Sequence, residues 1–232
     1  MDFKDFSQLL INKFSFSPTE DQIAAIGELS KFLISNNDIG LFILKGYAGT
    51  GKTTLMKTLV DNVKFLKYNI CLLAPTGRAA KVLSNYSKKK SFTIHKKIYV
   101  PRPEKNGKMS FVLAPNKHKK TLFIVDEASM ISDLPSQAKL FGSGSVLDDL
   151  MQYVYSGHQC KLLLIGDTAQ LPPVKLDISP ALNENNLELN YNKEVIRVEL
   201  DEVVRQEKDS GILFNATLFF HINMKKSIGE FD

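Results

Sequence analysis

Hydrophobic and polar positions follow two rhythms along this chain. Five short runs of mostly branched apolar residues, Leu41 to Lys45, Ile70 to Ala74, Leu122 to Val125, Leu162 to Ile165 and Val195 to Leu200, show little alternation with polar residues. That is the pattern of strands buried on both faces. Helical spacing fills the intervals. Thr19 to Ser35 places Ile23, Ile26, Leu29 and Leu33 on one face with Thr19 as N-cap, and Thr54 to Val63, Arg78 to Leu83 and Val146 to Tyr155 also read as helices. Strands alternating with helices predict an α/β fold, a parallel sheet with helices on both faces.

Two segments break the rhythm. Ile98 to Val100 and Met109 to Leu113 are extended runs flanking Glu104-Lys105-Asn106-Gly107, and Asn-Gly is a strong hairpin signal. A β-hairpin projecting from the sheet is expected there. Gly142-Ser143-Gly144-Ser145 reads as a flexible connector.

At 232 residues with 44% hydrophobic content, the chain has material for one large core or two small ones. No run approaches the roughly 18 apolar residues of a membrane span. Met1-Asp2-Phe3-Lys4-Asp5 lacks the basic-then-apolar layout of a signal peptide, so a cytoplasmic protein without membrane partners is expected. Cys71 and Cys160 adjoin apolar runs and read as core thiols, not a disulfide or metal site. The net charge of +5 conceals an asymmetry, because Gly77 to Lys120 holds 13 Lys and Arg against one acid, Glu104. A basic segment set in an otherwise acidic chain is either a solvated lysine-rich loop or the footprint of a phosphate-backbone binder.

Chemistry enters after the first apolar run. Gly46-Tyr47-Ala48-Gly49-Thr50-Gly51-Lys52-Thr53 fits G-x-x-x-x-G-K-[ST] at every fixed position, between a strand and a helix as the phosphate loop requires. Glycines let the backbone wrap phosphates, and successive N–H groups with the helix N-terminus supply a positive field. Gly46, Ala48, Gly49, Thr50, Gly51, Lys52, Thr53 and Thr54 are the candidate cradle for ATP. Lys52 is placed to reach the β- and γ-phosphates and the Thr53 hydroxyl to ligate Mg²⁺.

Further runs end in polar chemistry. Thr121 to Val125 leads into Asp126-Glu127. Carboxyl ends of strands in an open α/β sheet face the ligand crevice, so Asp126 is expected on Mg²⁺ through its water shell and Glu127 on the attacking water. Lys161 to Ile165 leads into Gly166-Asp167-Thr168-Ala169-Gln170. Gln170 is either a γ-phosphate contact or a solvent-facing amide. Arg205, after the last run, either stabilises charge on the transferring phosphoryl group or forms a surface salt bridge.

The ordered set of Pro18-Thr19-Glu20-Asp21-Gln22, the phosphate loop, Ala74-Pro75-Thr76-Gly77-Arg78-Ala79-Ala80, Thr93-Ile94-His95, Asp126-Glu127-Ala128-Ser129-Met130, Gly166 to Val174 and Val204-Arg205-Gln206 resembles the RecD-like group of superfamily 1 DNA helicases. That group includes the exonuclease V alpha subunit and phage Dda-type helicases. The resemblance covers roughly Phe16 to Arg205. It implies that the sheet is a RecA-like P-loop NTPase domain, that Gln22 recognises adenine, and that Pro75, Thr76, Arg78, Thr93 and His95 bind single-stranded DNA. It also implies that the hairpin is a strand-separating pin, that movement runs 5′ to 3′, and that subunits of a helicase–nuclease complex are candidate partners.

On this reading residues 1–96 and 120–205 form the ATPase domain, 97–119 the pin, and 206–232 a tail or the start of a second motor domain. Only 27 residues follow Arg205, too few for that second domain, and little unwinding is expected of a monomeric chain of this length. A nucleotide-gated DNA-binding or regulatory module is the alternative function. Nuclease chemistry has little support, because the acids identified are committed to the ATP site. Phe92, Tyr99 and Phe111 either support stacked bases or pack the hairpin root.

Overall fold

All five apolar runs become strands of one parallel sheet in the computed structural model, which describes residues 1–35, 40–104, 108–133, 141–167, 169 and 179–204. In chain order the elements are α1 (Phe3–Asn12), α2 (Glu20–Ile34), β1 (Gly40–Gly46), α3 (Lys52–Asn62), β2 (Asn69–Ala74), α4 (Gly77–Ser87), β3 (Ser91–Thr93) and α5 (Ile94–Ile98). There follow β4 (Tyr99–Pro103), β5 (Met109–Leu113), β6 (Thr121–Val125), α6 (Val146–Tyr155), β7 (Lys161–Ile165), α7 (Glu184–Tyr191) and β8 (Glu194–Leu200). The six-stranded sheet runs β3-β2-β6-β7-β1-β8 with every pairing parallel, and β4 pairs β5 antiparallel as a separate ribbon.

The missing alternation in the strands has a direct cause. Phe42 and Leu44 of β1, Leu122 and Ile124 of β6, and Leu163 and Ile165 of β7 enter one core with α1 to α4. Their neighbours Leu41, Ile43, Phe123, Val125, Leu162 and Leu164 enter the opposite core with α5, α6 and α7. Both faces are covered, so both sets of alternate positions are apolar.

Thr19 caps α2 as expected, its hydroxyl accepting from Gln22 N while the Gln22 side chain accepts from Thr19 N. The hairpin is present, with Tyr99 opposite Leu113 and Pro103 opposite Met109; its Asn106-Gly107 turn lies outside the described residues. Four elements escaped the sequence reading. The three-residue β3 and five-residue α5 are shorter than a period can register. The apolar stripe of α1 rests on Phe6 and Leu10, and α7 buries only Leu187 while leaving Leu189 exposed. Among the described residues no helix is long and apolar enough to cross a membrane. Both cysteines are buried and unbridged, and burial pushes the Cys71 thiol up to about 11.

A single cation ties sheet to helix beneath the site. Lys161, the first residue of β7, is 1% exposed. Its Nζ donates to Phe32 O, to Ser35 O at 2.9 Å and to Ser35 Oγ at 3.1 Å. The ammonium thereby satisfies carbonyls at the negative end of α2 and lies 4.7 Å from the Phe32 ring centroid. Lys161→Met keeps the stem volume and removes these donors; a loss of about 2 kcal/mol in unfolding free energy is expected from urea denaturation.

Candidate functional site

The phosphate loop leaves β1 and enters α3 under close steric control. Gly46 and Gly51 are required by contact: a Cβ on Gly46 would sit 2.6 Å from Leu200 O, and one on Gly51, whose φ is +86°, would sit 2.3 Å from Gln22 Nε2. Thr50 is buried, its hydroxyl donating to Tyr47 O at 2.9 Å, whereas Tyr47, Ala48 and Gly49 form an exposed rim. Lys52 and Thr53 open α3, so the helix begins two residues earlier than its apolar spacing indicates. Lys52 Nζ donates to Gly46 O at 2.6 Å and Tyr47 O at 2.7 Å, folding over the loop from within.

Carboxylates face that ammonium from the next strand ends. Because β7 lies between β1 and β6, the residues after β7 and β6 open beside the loop. Burial lowers the Lys52 pKa, while Asp167, Asp126 and Glu127 oppose that shift in decreasing order. Burial, then the Glu127 charge, raises the pKa of Asp126; the hydrogen bond its Oδ1 accepts from Glu127 N at 3.0 Å and the Lys52 charge work against the rise. Glu127 itself is held in left-handed backbone geometry, φ 55° and ψ 37°, at the head of a short 3₁₀ turn. A side chain other than glycine there carries about 1–2 kcal/mol of backbone strain.

The donor set suits Mg²⁺. A hydroxyl at the exposed start of α3, Thr53, and one carboxylate at the end of β6, Asp126, match a cation that keeps most of its own water. Among the described residues no cluster of three or more His, Cys, Asp or Glu forms a metal cage.

The N-terminus of α2 braces both this loop and the exit from β8. Gln22 is 2% exposed, with Oε1 accepting from Thr19 N at 3.1 Å and Nε2 donating to Thr50 O at 2.9 Å. One amide hydrogen remains for the adenine edge assigned to this residue by resemblance. Asp21 Oδ2 accepts from Asp201 N at 3.0 Å and Glu202 N at 3.1 Å, and Val204 N donates to Gly49 O at 3.1 Å. Sequence reading assigned nothing to Asp21, although a carboxylate in the first turn of a capped helix is a ready acceptor. The stretch leading to Arg205 is therefore fastened to the loop; Arg205 and Gln170 lie outside the described residues.

The residues assigned to DNA gather at the other end of the same sheet edge. Ala74 pairs with Thr93, so Pro75, Thr76 and Arg78 after β2 stand beside Thr93 at the end of β3 and His95 just beyond it. Thr76 and Arg78 are exposed. Thr76 caps α4 by accepting from Ala79 N at 3.2 Å, and Thr93 caps α5 by accepting from Lys96 N at 3.1 Å. His95 is half-buried, 5.0 Å from Phe141 and 5.6 Å from Tyr99 between ring centroids, and burial lowers its pKa.

Those rings belong to the hairpin root. Phe111 stacks on Phe141 at 4.6 Å, and Tyr99 is 7% exposed with its hydroxyl donating to Asp149 Oδ2 at 2.6 Å. Tyr99 and Phe111 therefore pack the root, with Phe111, like Phe92, half-exposed. Asp149, itself 2% exposed, also accepts from Ser143 N at 3.1 Å, and Ser145 caps α6. The Gly142 to Ser145 stretch is thus a fastening, not the plain connector that its composition suggests. An acid on the otherwise apolar face of α6 was the available signal.

Fold, phosphate loop and facing acids define a P-loop ATPase domain. The AAA domain family matches residues 19–217, and the chain belongs to that family. Within it the chain falls among RecD-like superfamily 1 motor domains. It is 34% identical over 135 residues to the ATP-dependent RecD2 DNA helicase of Deinococcus radiodurans, covering 58% of this chain and 16% of that protein. It is 32% identical over 166 residues to the ATP-dependent DNA helicase dda of Enterobacteria phage T4, covering 70% of this chain and 34% of that one. The chain thus spans well under half the length of these curated relatives. The crystal structure of Pif1 helicase from Candida albicans shares the fold at a TM-score of 0.50 and 21% identity, over 82% of this chain and 41% of that one.

Two outcomes test the braces. Asp21→Ala should accelerate hydrogen exchange at the Asp201 and Glu202 amides by roughly fivefold, since about 1 kcal/mol is lost per bond. Tyr99→Phe leaves Asp149 short of a buried donor and should lower unfolding free energy by about 2 kcal/mol in urea.

Proposed function

We propose that this chain is the first motor domain of an ATP-dependent DNA helicase. It binds ATP and Mg²⁺ on the phosphate loop, hydrolyses ATP, and holds single-stranded DNA, or the strand at a single-to-double-strand junction, along the β2–β3 end of the sheet. The observation that carries this reading is the convergence of Lys52 with Asp167, Asp126 and Glu127 at adjoining strand ends.

Lys52 neutralises the β- and γ-phosphates, the loop N–H groups cradle them, and Gln22 holds the loop in shape. Thr53 and Asp126 would hold Mg²⁺, which would supply charge neutralisation to the phosphates. Glu127 orients the attacking water and accepts its proton. Gln170 senses the γ-phosphate and Arg205 supplies charge to the phosphoryl group in flight. Pro75, Thr76, Arg78, Thr93 and His95 hold the DNA, and the hairpin meets the junction. The intact protein travels 5′ to 3′ in the cytoplasm, acting as a monomer or with subunits of a helicase–nuclease complex of the exonuclease V type in DNA repair and recombination.

Lys52→Ala is expected to abolish ATP binding, whereas Glu127→Gln should bind ATP normally and turn over at least about 100-fold more slowly. Full turnover by Glu127→Gln removes that residue from its role. Affinity for single-stranded DNA should fall steeply between about 50 and 200 mM salt; a flat response in a filter-binding titration argues against the basic segment as a backbone groove.

A further inference from the structure

Phe92 is the one aromatic of the three sequence candidates that the hairpin root does not absorb. It lies on β3, which pairs only with β2 and so forms one margin of the sheet. The side chain is half-exposed and packs against the core beneath α5 and α6. A ring wedged in this way keeps its orientation, so ordering it on binding carries little entropic penalty.

Two cations converge on this ring. Lys90 Nζ lies 5.1 Å and Lys97 Nζ 5.5 Å from the Phe92 centroid. Cation–π attraction favours each contact and concentrates positive charge about the ring. Neither lysine forms an ion pair among the described residues. Phosphates arriving beside the ring would draw the ammonium groups off it, and the face so vacated offers a surface for a planar base. The adjoining residue is Thr93, level with Ala74 at the end of β2, which puts the ring one residue from the strand end where the residues assigned to DNA gather.

We propose that Phe92, Lys90 and Lys97 form a platform on which one base of a single-stranded nucleic acid stacks while the two ammonium groups hold its flanking phosphates. This rests on the motor-domain reading above and adds a contact that the motif residues do not include. Stacking on a π-face is tolerant of base identity, so the platform grips a strand without selecting its sequence.

The chain has no tryptophan, which makes a direct test available. Phe92→Trp installs a single reporter; its emission should be quenched by saturating oligothymidylate and unaffected by an abasic deoxyribose-phosphate strand of equal length. Phe92→Leu should weaken oligothymidylate binding about tenfold in fluorescence anisotropy and leave abasic-strand binding unchanged. Lys90→Gln and Lys97→Gln should each weaken both strands and reduce the salt slope by about 0.7.

Unquenched indole emission from the Phe92→Trp protein in the bound complex overturns the platform, as does native-like oligothymidylate affinity in Phe92→Leu. Equal losses on both strands in Phe92→Leu also overturn stacking, since the ring then serves only to position the lysines. If the unsubstituted chain binds no oligothymidylate, the DNA-motor reading falls together with the platform. If it binds and only the Phe92 variants are silent, the platform alone falls.

Discussion

Parallel pairing of β1 with β7, and of β7 with β6, sets the distance between every group that handles nucleotide. The register Leu44 to Ile165 and Val125 to Leu164 brings three strand ends to one level. The phosphate loop, Asp167 and Asp126-Glu127 then emerge side by side, although they are far apart in the chain. Lys52 feels these carboxylates because of that register. A slip of one residue would exchange the two apolar faces and bury the wrong atoms, so the same packing that stabilises the sheet fixes the chemistry.

Polar contacts then lock the loops that the sheet positions. Gln22 and Asp21, adjacent on α2, grip the phosphate loop and the backbone after β8 respectively. The phosphate loop and the segment leading to Arg205 thereby share one helix start as their anchor. At the opposite end Asp149 holds Tyr99 and Ser143, which gives the hairpin a fixed root against α6. His95 packs among the same rings, so α5 and the hairpin root share one ring cluster.

The sheet strands of five residues or more were legible because burial on both faces leaves unbroken apolar runs, and the phosphate loop because its glycines answer to backbone geometry. The capping box at Thr19 and Gln22 was equally visible. What escaped depends on contacts distant in sequence. Asp21 reaches residues 201 and 202, Lys161 reaches Phe32 and Ser35, and Tyr99 reaches Asp149. No local period encodes such pairs. Short elements failed for a related reason: β3 is three residues long and exists because β2 offers it an edge.

The proposed nucleotide site at β6-β7-β1 and the proposed DNA contacts at β3-β2 lie on one continuous sheet edge, joined through the pairing of β2 with β6. On the proposed function, this edge couples the two sites. Steady-state ATP hydrolysis by the purified chain, with and without single-stranded DNA and against Lys52→Ala as background, tests it most directly. Stimulation by DNA is the predicted result. Hydrolysis above that background at a rate indifferent to saturating single-stranded DNA would contradict it.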